Sequence, residues 1–255
     1  AAALVEYDTF WQVEQKNLKE LTIVDEDYTE YINKIEKNVA ELTYERYFDD
    51  TEWQTIVLPF DVPVANLMDQ FEVAYIYNAS YKGKQATIDY VVIDENSVVE
   101  KLSANYPYLI KAKATGWNNI VVENAKLMPT IAVTLDCSSI FEQFSFIGNY
   151  ATVVAPSNDG MGYFNLTSGA WSKMETINPF RFYMQIKLRN GGAFEYPADS
   201  EAIRMRSVNA NGETTGIDGV DAEQAGDFIF DLHGRRVLEP LKGGLYIING
   251  KKVIF

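Results

Sequence analysis

The chain has 255 residues, 47% of them hydrophobic, which suits one large domain with a buried core. The formal net charge of -14 argues against nucleic-acid binding, because phosphate backbones would be repelled. The single cysteine, Cys137, excludes an intrachain disulfide, and no apolar run reaches the roughly 20 residues that a membrane-spanning helix needs.

The first 38 residues form a separate N-terminal segment. Its opening residues, Ala1 to Glu6, lack the charged and apolar regions of a signal peptide, so we expect any export signal to lie upstream of Ala1. Residues 18–24 are compatible with a short strand. An acidic run at 25–27 then precedes apolar residues at helical spacing, which are Tyr28, Tyr31, Ile32 and Ile35. Because acidic residues stabilise the first turn of a helix, we predict a short N-terminal helix over 27–37.

Between residues 39 and 206 the hydrophobic pattern changes to period two, with turn signals every 8–12 residues or so. The stretch 53–60 is apolar in its centre and predicts a strand buried on both faces, which ends at Pro59. Further strands are predicted at Val73–Tyr77, Ala86–Ile93, Val98–Leu102, Tyr108–Ala112, Ile120–Val122, Ile131–Leu135, Phe144–Tyr150, Gly162–Leu166 and Phe180–Lys187. The body is therefore predicted to be mainly β, an antiparallel β-sandwich of jelly-roll-like type.

Residues 207–226 are rich in Gly, Asn, Thr, Asp and Ala, and this composition predicts a linker. Beyond it, residues 227–255 predict a small three-strand tail with strands at Phe228–Leu232, Leu245–Ile248 and Lys252–Phe255. Asn249-Gly250 predicts a two-residue type I′ turn between the last two strands. So small a unit buries little surface, so we expect it to dock on the body or on another molecule.

The tail also carries a family resemblance. Its motifs are Asp231-Leu232-His233-Gly234-Arg235-Arg236-Val237 and Lys242-Gly243-Gly244-Leu245-Tyr246-Ile247-Ile248-Asn249-Gly250-Lys251-Lys252-Val253. They are similar to the C-terminal segments of many exported proteins of Bacteroidetes-type bacteria, in a form shorter than the full sorting domain of type IX secretion. The resemblance implies export and an extracellular or cell-surface location.

The body resembles the β-rich modules that accompany leucine-rich-repeat surface proteins of the same bacteria. The residues that carry this resemblance are Tyr44-Glu45-Arg46-Tyr47-Phe48, Trp53-Gln54-Thr55-Ile56-Val57-Leu58-Pro59-Phe60, Tyr106-Pro107-Tyr108-Leu109-Ile110-Lys111 and Asn178-Pro179-Phe180-Arg181-Phe182-Tyr183. Asn105-Tyr106 departs from the Gly-Lys pair that the family commonly has before Pro107. The resemblance implies an architecture and a compartment, and it implies no activity.

Catalytic and metal chemistry find little support in the sequence. His233 is the only histidine and Cys137 the only cysteine, so neither a zinc or copper site nor a catalytic triad is expected. None of the 36 acidic residues lies in a recognisable catalytic or calcium-binding motif. We predict no catalytic residue, no metal and no cofactor.

Two tryptophans are the candidate binding residues. Trp117 and Trp171 lie among Gly, Asn and Ser residues, and an aromatic ring on a loop can stack on a sugar. The alternative is that each ring closes one end of the core. Arg46 and Arg181 lie within apolar strand patterns, where a buried arginine needs a carboxylate or several carbonyl partners.

These observations predict an exported, non-enzymatic surface interaction or adhesion module whose partner is an unidentified protein or glycan. A carbohydrate-binding module for polysaccharide capture is the alternative hypothesis. A glycoside hydrolase that uses a carboxylate pair is the third. The sequence leaves the oligomeric state open.

Overall fold

The computed structural model describes residues 16–82, 85–95, 97–138, 142–157, 159–196 and 203–214, and the backbone of 229–230, 236–237, 245–248 and 251–254. The chain divides into two compact units, residues 1–215 and 216–255. The boundary between them falls inside the predicted linker. Among the described residues, no helix is both long enough and apolar enough to span a membrane.

The protein is mainly β, as the hydrophobic periodicity predicts. Short 3-10 turns occur at Asp25–Asp27 and Val64–Asn66. The strands of the first unit are β1 (Asn17–Val24), β2 (Lys37–Phe48), β3 (Gln54–Ile56), β4 (Val62–Pro63), β5 (Phe71–Lys82), β6 (Gln85–Ile93), β7 (Lys101–Leu102), β8 (Tyr108–Ala112), β9 (Gly116–Leu127), β10 (Thr134–Ser138), β11 (Glu142–Asn149), β12 (Val153–Val154), β13 (Gly162–Thr167), β14 (Ala170–Lys173), β15 (Thr176–Ile177), β16 (Arg181–Leu188) and β17 (Ile203–Ser207).

Three larger sheets organise these strands. One has the order β1-β2-β9, a second β17-β6-β5-β8-β3, and a third β10-β11-β16-β13-β14. Two-stranded pairs form between β4 and β7 and between β12 and β15. The β1–β2 and β6–β17 pairs are parallel, and the remaining described pairs of this unit are antiparallel. All three sheets contribute residues to one continuous hydrophobic core.

Strand β2 shows how the period-two pattern builds this core. Leu42, Tyr44, Arg46 and Phe48 alternate along the strand and are all buried, whereas Tyr47 is exposed on the opposite face. Successive side chains of a strand point to opposite faces of the sheet, so one face of β2 packs inward and the other meets solvent. On the outward face, Tyr47 belongs to the candidate site described below.

Residues 55–60 of the stretch 53–60 are buried as predicted and Trp53 and Gln54 are half-buried, but the ladder pairing of the stretch is short. Only Gln54–Ile56 forms a strand, in antiparallel pairing with β8. Beyond it the Val57 N–H donates to the Phe180 carbonyl at 3.0 Å, and the Pro59 carbonyl accepts from the Met128 N–H at 2.6 Å. Buried backbone groups need hydrogen-bond partners, so these contacts with residues that flank β16 and β9 replace a regular ladder.

The predicted helix over 27–37 is wrong. Its backbone forms long-range contacts instead: the Tyr31 N–H donates to the Tyr150 carbonyl and the Thr152 N–H to the Thr29 carbonyl, both at 2.7 Å. The segment therefore runs beside residues 150–152, with an isolated bridge between Glu30 and Ala151.

The apolar residues of this segment do not share one face, which explains the error. The rings of Tyr28 and Tyr31 pack against Phe180, at centroid distances of 6.1 and 5.2 Å. Ile32 and Ile35 are exposed. Tertiary packing of the two tyrosines thus overrides a helical pattern of only two turns, which has little stability by itself.

Several predicted boundaries also shift. Val98 and Ile131 are exposed and lie outside strands, so β7 is shorter than predicted, and β10 begins three residues later than predicted. One strand, β17, has no counterpart among the predicted strands and pairs in parallel with β6. An ion pair between Arg206 and Asp89 joins these two strands, with N–O distances of 2.7 and 3.0 Å. The first unit thus continues past residue 207.

The sequence Thr167-Ser168-Gly169 is a strong turn signal, and the turn between β13 and β14 forms there. Thr167 pairs with Ala170, so Ser168 and Gly169 form a two-residue loop. Their φ angles are 48° and 74°. Positive φ at both central positions defines the type I′ turn that suits the twist of a hairpin.

Replacing Gly169 by Ala tests this turn. We expect Gly169→Ala to lower the free energy of unfolding by about 1–2 kcal/mol, because a Cβ is disfavoured in the left-handed region. The new Cβ would also lie 3.2 Å from a carboxylate oxygen of Glu52. Urea denaturation measures the difference. Gly192→Ala is the control, since the φ of Gly192 lies outside that region, and an equal loss in both variants would contradict the assignment.

The strands of the second unit are β18 (Ile229–Phe230), β19 (Arg236–Val237), β20 (Leu245–Ile248) and β21 (Lys251–Ile254). They form a four-stranded sheet of order β19-β18-β20-β21, one strand more than predicted, because the two-residue strand β19 has no counterpart among the predicted strands. Ile248 pairs with Lys251, so the last hairpin closes over two residues, as predicted. The conformation of Asn249-Gly250 itself lies outside the described residues.

Candidate functional site

A buried ion cluster joins the first sheet to the third. Asp25 follows the end of β1, Arg46 lies on β2, and Arg181 begins β16. The two guanidinium nitrogens of Arg181 donate to the two oxygens of Asp25 at 2.8 and 2.5 Å. The Tyr44 hydroxyl also donates to Asp25, at 2.7 Å. The carboxylate that the buried arginines require is therefore Asp25, and the bidentate geometry is the strong form of this ion pair.

Arg46 is the second cation of the cluster and is only 3% exposed. Its Nη1 donates to the Thr55 carbonyl at 3.0 Å, and its Nη2 donates to Oε1 of Gln54. Its Nε lies 4.0 Å from Asp25 and has no hydrogen-bond partner among the described residues. Its guanidinium carbon also lies 4.7 Å from the centre of the Phe48 ring, a cation–π contact.

The electrostatics of the cluster follow from burial and charge. Burial by itself would raise the pKa of the Asp25 carboxyl, but the guanidinium groups of Arg181 and Arg46 hold that pKa below its usual value. Burial and the nearby Arg181 charge lower the pKa of Arg46 to about 10. Burial raises the pKa of the Tyr44 hydroxyl, and the Asp25 charge raises it further. At neutral pH the cluster therefore holds one carboxylate and two cations.

Phe180, next to Arg181, has a strained backbone with a φ of 58°. A bulky residue in this left-handed region costs roughly 1–3 kcal/mol and persists only where its surroundings fix it. Four tyrosine rings lie within 5.2–6.1 Å of the Phe180 ring, namely Tyr28, Tyr31, Tyr44 and Tyr150. This aromatic packing holds the start of β16, and with it Arg181, in place.

A cleft of about 650 Å³ borders the ion cluster. Its volume lies within the usual range for small-molecule sites. We call it the aromatic cleft. Its rim carries Trp117 and Tyr47, which are 60% and 47% exposed. The two residues pair directly across β2 and β9, and their rings meet edge to face at a centroid distance of 5.7 Å. An exposed, mutually supported aromatic pair therefore borders a concave surface.

Polar side chains complete the aromatic cleft. Glu26, Asp49, Gln54 and Asn178 line it together with Arg46 and Arg181. Glu26 accepts a hydrogen bond from the Tyr47 N–H at 3.2 Å, which fixes the carboxylate beside the aromatic rim. Carboxylate and amide groups can bind pairs of hydroxyls, and an aromatic face can pack on the apolar face of a sugar ring.

A second cavity, of about 290 Å³, adjoins the first, and we call it the hydroxyl cavity. It shares part of its wall with the aromatic cleft, namely Arg46, Asp49, Gln54, Asn178 and Arg181. Its remaining lining is largely hydroxyl and amide, with Asn165, Thr167 and Thr176 among the contributors. Ser168 donates to Asp50 at 2.6 Å in the same wall, and this hydrogen bond lowers the pKa of Asp50.

The two predicted binding residues have different positions. Trp117 lies on β9, exposed at the rim of the aromatic cleft. Trp171 does not lie on a surface loop: it belongs to β14, is 1% exposed, and packs against Phe146 and Phe182 in the core. Its position matches the alternative interpretation, in which the ring fills the core, because its apolar surface exceeds that of any other side chain. We therefore leave Trp171 out of the candidate site.

The remaining residues singled out by the sequence lie elsewhere. Cys137 is partly buried on β10, and burial raises the pKa of its thiol, which disfavours the reactive thiolate. His233 lies outside the described residues. Within the described part of the first unit, no group of three His, Cys, Asp or Glu side chains could hold a metal ion.

Sequence reasoning missed Tyr47, Glu26 and Gln54 as members of the site. Tyr47 occupies an outward position of β2, and the period-two pattern could have indicated its exposure. Its pairing with Trp117, 70 residues away along the chain, depends on the register between β2 and β9. Glu26 lies in the short 3-10 turn at Asp25–Asp27, and this turn places it at the cleft.

The fold and the cleft together define a mainly β protein whose first unit carries a polar cleft with an aromatic rim. Comparisons of the chain with protein-family models, curated proteins and solved structures each found no match.

Proposed function

We propose that this protein is a non-enzymatic carbohydrate-binding module that captures glycan chains in the aromatic cleft. One observation carries the proposal: the exposed Trp117–Tyr47 pair borders a concave surface lined by fixed carboxylate and amide groups. Sugar rings have an apolar face and a rim of hydroxyls, so they require both kinds of group at once. Small-molecule sites are typically concave and combine apolar walls with a few placed polar groups.

A catalytic role finds less support in the same cleft. The most strongly held carboxylate, Asp25, accepts hydrogen bonds from Arg181 and Tyr44, and its pKa is lowered. The general acid of a glycosidase needs a raised pKa, which is the opposite shift. We therefore propose binding without hydrolysis.

The proposal extends to the location and the finer architecture of the protein. The resemblance of the tail to type IX sorting segments supports export to the cell surface, where a glycan-binding module would meet polysaccharides. The two five-stranded sheets contribute to one core, which supports a sandwich arrangement of the body.

A glycan array tests the function directly. We expect the protein to bind at least one polysaccharide or oligosaccharide class, without release of new reducing ends during prolonged incubation. Absence of binding to every glycan would contradict the proposal and leave a protein partner as the better hypothesis. Release of reducing ends would contradict the non-enzymatic part.

A further inference from the structure

We infer that the ligand is a run of several successive units of an extended, uncharged glycan, which lies across the aromatic cleft and the hydroxyl cavity together. This inference rests on the proposed function and adds the length and the charge of the ligand. It follows from the shared wall of the two cavities, from the chemistry of their separate ends, and from the charges that face them.

The two cavities adjoin one another and share part of their lining. Five residues line both, and they include the exposed Asp49 and Asn178 as well as Arg46 and Arg181. We call the two cavities with their shared wall the groove. A single terminal sugar would fill only one of the two cavities, whereas a ligand that fills both must extend along the shared wall.

The two ends of the groove offer different contacts. The aromatic cleft presents the Trp117–Tyr47 pair, which suits packing against a sugar ring. The hydroxyl cavity presents exposed Thr167 and Thr176 and the half-buried Asn165. Hydroxyl and amide groups both donate and accept hydrogen bonds, as sugar hydroxyls do. One sugar unit of a glycan can therefore stack on the aromatic pair while a later unit of the same glycan forms hydrogen bonds in the hydroxyl cavity.

The charges facing the groove favour an uncharged ligand. Glu26 and Asp49 are exposed at its rim, and Asp50 lines the hydroxyl cavity. The two cations, Arg46 and Arg181, are largely buried and donate hydrogen bonds to Asp25, Thr55 and Gln54. The accessible surface is therefore acidic, and the carboxylates of uronic acids or the sulfates of sulfated glycans would be repelled.

Calorimetric titration with oligosaccharides of increasing length tests the inference. The probes are neutral gluco-, xylo- and manno-oligosaccharides from disaccharide to hexasaccharide, with oligogalacturonate and chondroitin sulfate fragments as anionic counterparts. We expect affinity for a neutral series to rise about tenfold or more with length before it levels off, because added units form further hydrogen bonds. We expect anionic fragments to bind weakly or not at all.

Two threonine variants test whether the hydroxyl cavity contacts the oligosaccharide. Thr176→Ala removes a hydroxyl from the hydroxyl cavity, and we expect about a 3- to 10-fold loss of affinity for the hexasaccharide. Thr22→Ala removes an exposed strand hydroxyl on β1 outside both cavities, and we expect hexasaccharide affinity to stay at the wild-type value.

The possible outcomes of these titrations test the length of the ligand, its charge and the proposed function separately. Equal affinity for disaccharide and hexasaccharide would overturn the extended groove while leaving glycan binding intact. Preference for oligogalacturonate or chondroitin fragments would overturn the uncharged ligand alone. No binding by any probe or array glycan would overturn the proposed function, and this inference with it.

Discussion

Trp117→Ala should weaken glycan binding by about 10- to 100-fold, or roughly 1.4–2.8 kcal/mol, with little change in the thermal midpoint of unfolding. The loss is expected because Trp117 is the larger member of the aromatic pair and the more exposed one. Replacement of a tryptophan by alanine is among the substitutions that reduce binding free energy the most. Calorimetric titration with a glycan selected from the array measures the affinity.

The small effect on stability follows from the position of Trp117. Its side chain is 60% exposed, so truncation removes little buried apolar surface and leaves no cavity in the core. Val121→Ala is a matched control, because Val121 lies on the same strand and is also exposed. Unchanged affinity in Trp117→Ala, or an equal loss in Val121→Ala, would contradict the assignment of the aromatic cleft as the binding surface.

Asp25→Ala should lower the free energy of unfolding by about 3–5 kcal/mol, which is a large part of the stability of a typical domain. The substitution leaves the guanidinium groups of Arg181 and Arg46 buried without their carboxylate. Removing one partner of a buried pair costs more than the pair contributes, because an uncompensated charge remains. Chemical denaturation measures the change, and Asp27→Ala, an exposed residue of the same turn, is the control.

The double variant Asp25→Ala/Arg181→Ala separates the charge effect from lost packing. If the ion pair matters, the double variant should be less destabilised than the sum of the two single variants. Strict additivity would contradict a direct coupling between the two residues.

Acidic pH should reproduce part of the effect of Asp25→Ala. The pKa of Asp25 is lower in the folded protein than its ordinary value of 3.8, so its contribution to stability is present above that value. The contribution is lost as pH falls through the folded pKa. The difference in stability between wild type and Asp25→Ala should therefore narrow below about pH 4. A difference that stays constant down to about pH 2 would contradict the lowered pKa.

Local patterns in the sequence predicted those parts of the fold that depend on neighbours along the chain. The alternation of buried and exposed residues in β2 marks a strand by its period alone. The Ser168-Gly169 turn follows from the φ angles that glycine accepts. Burial of 55–60 follows from its largely apolar composition.

The sequence-based predictions fail where contacts between distant residues outweigh the conformational preference of the local sequence. The helical spacing at 27–37 is real, yet packing of Tyr28 and Tyr31 against Phe180, about 150 residues away in sequence, holds the segment in another conformation. The flanking residues of Trp171 resemble those of Trp117, yet the core encloses one ring and the rim of a cleft exposes the other.

Sequence patterns were enough to establish that this chain forms β-strands, where most of them lie, and that two arginines within these strands need a carboxylate or several carbonyl partners. The three-dimensional arrangement was needed to identify that carboxylate as Asp25, to pair Tyr47 with Trp117, and to place a polar cleft beside them. Strand periodicity is a property of adjacent residues, whereas sheet order and register bring together residues whose separation along the chain no local pattern encodes.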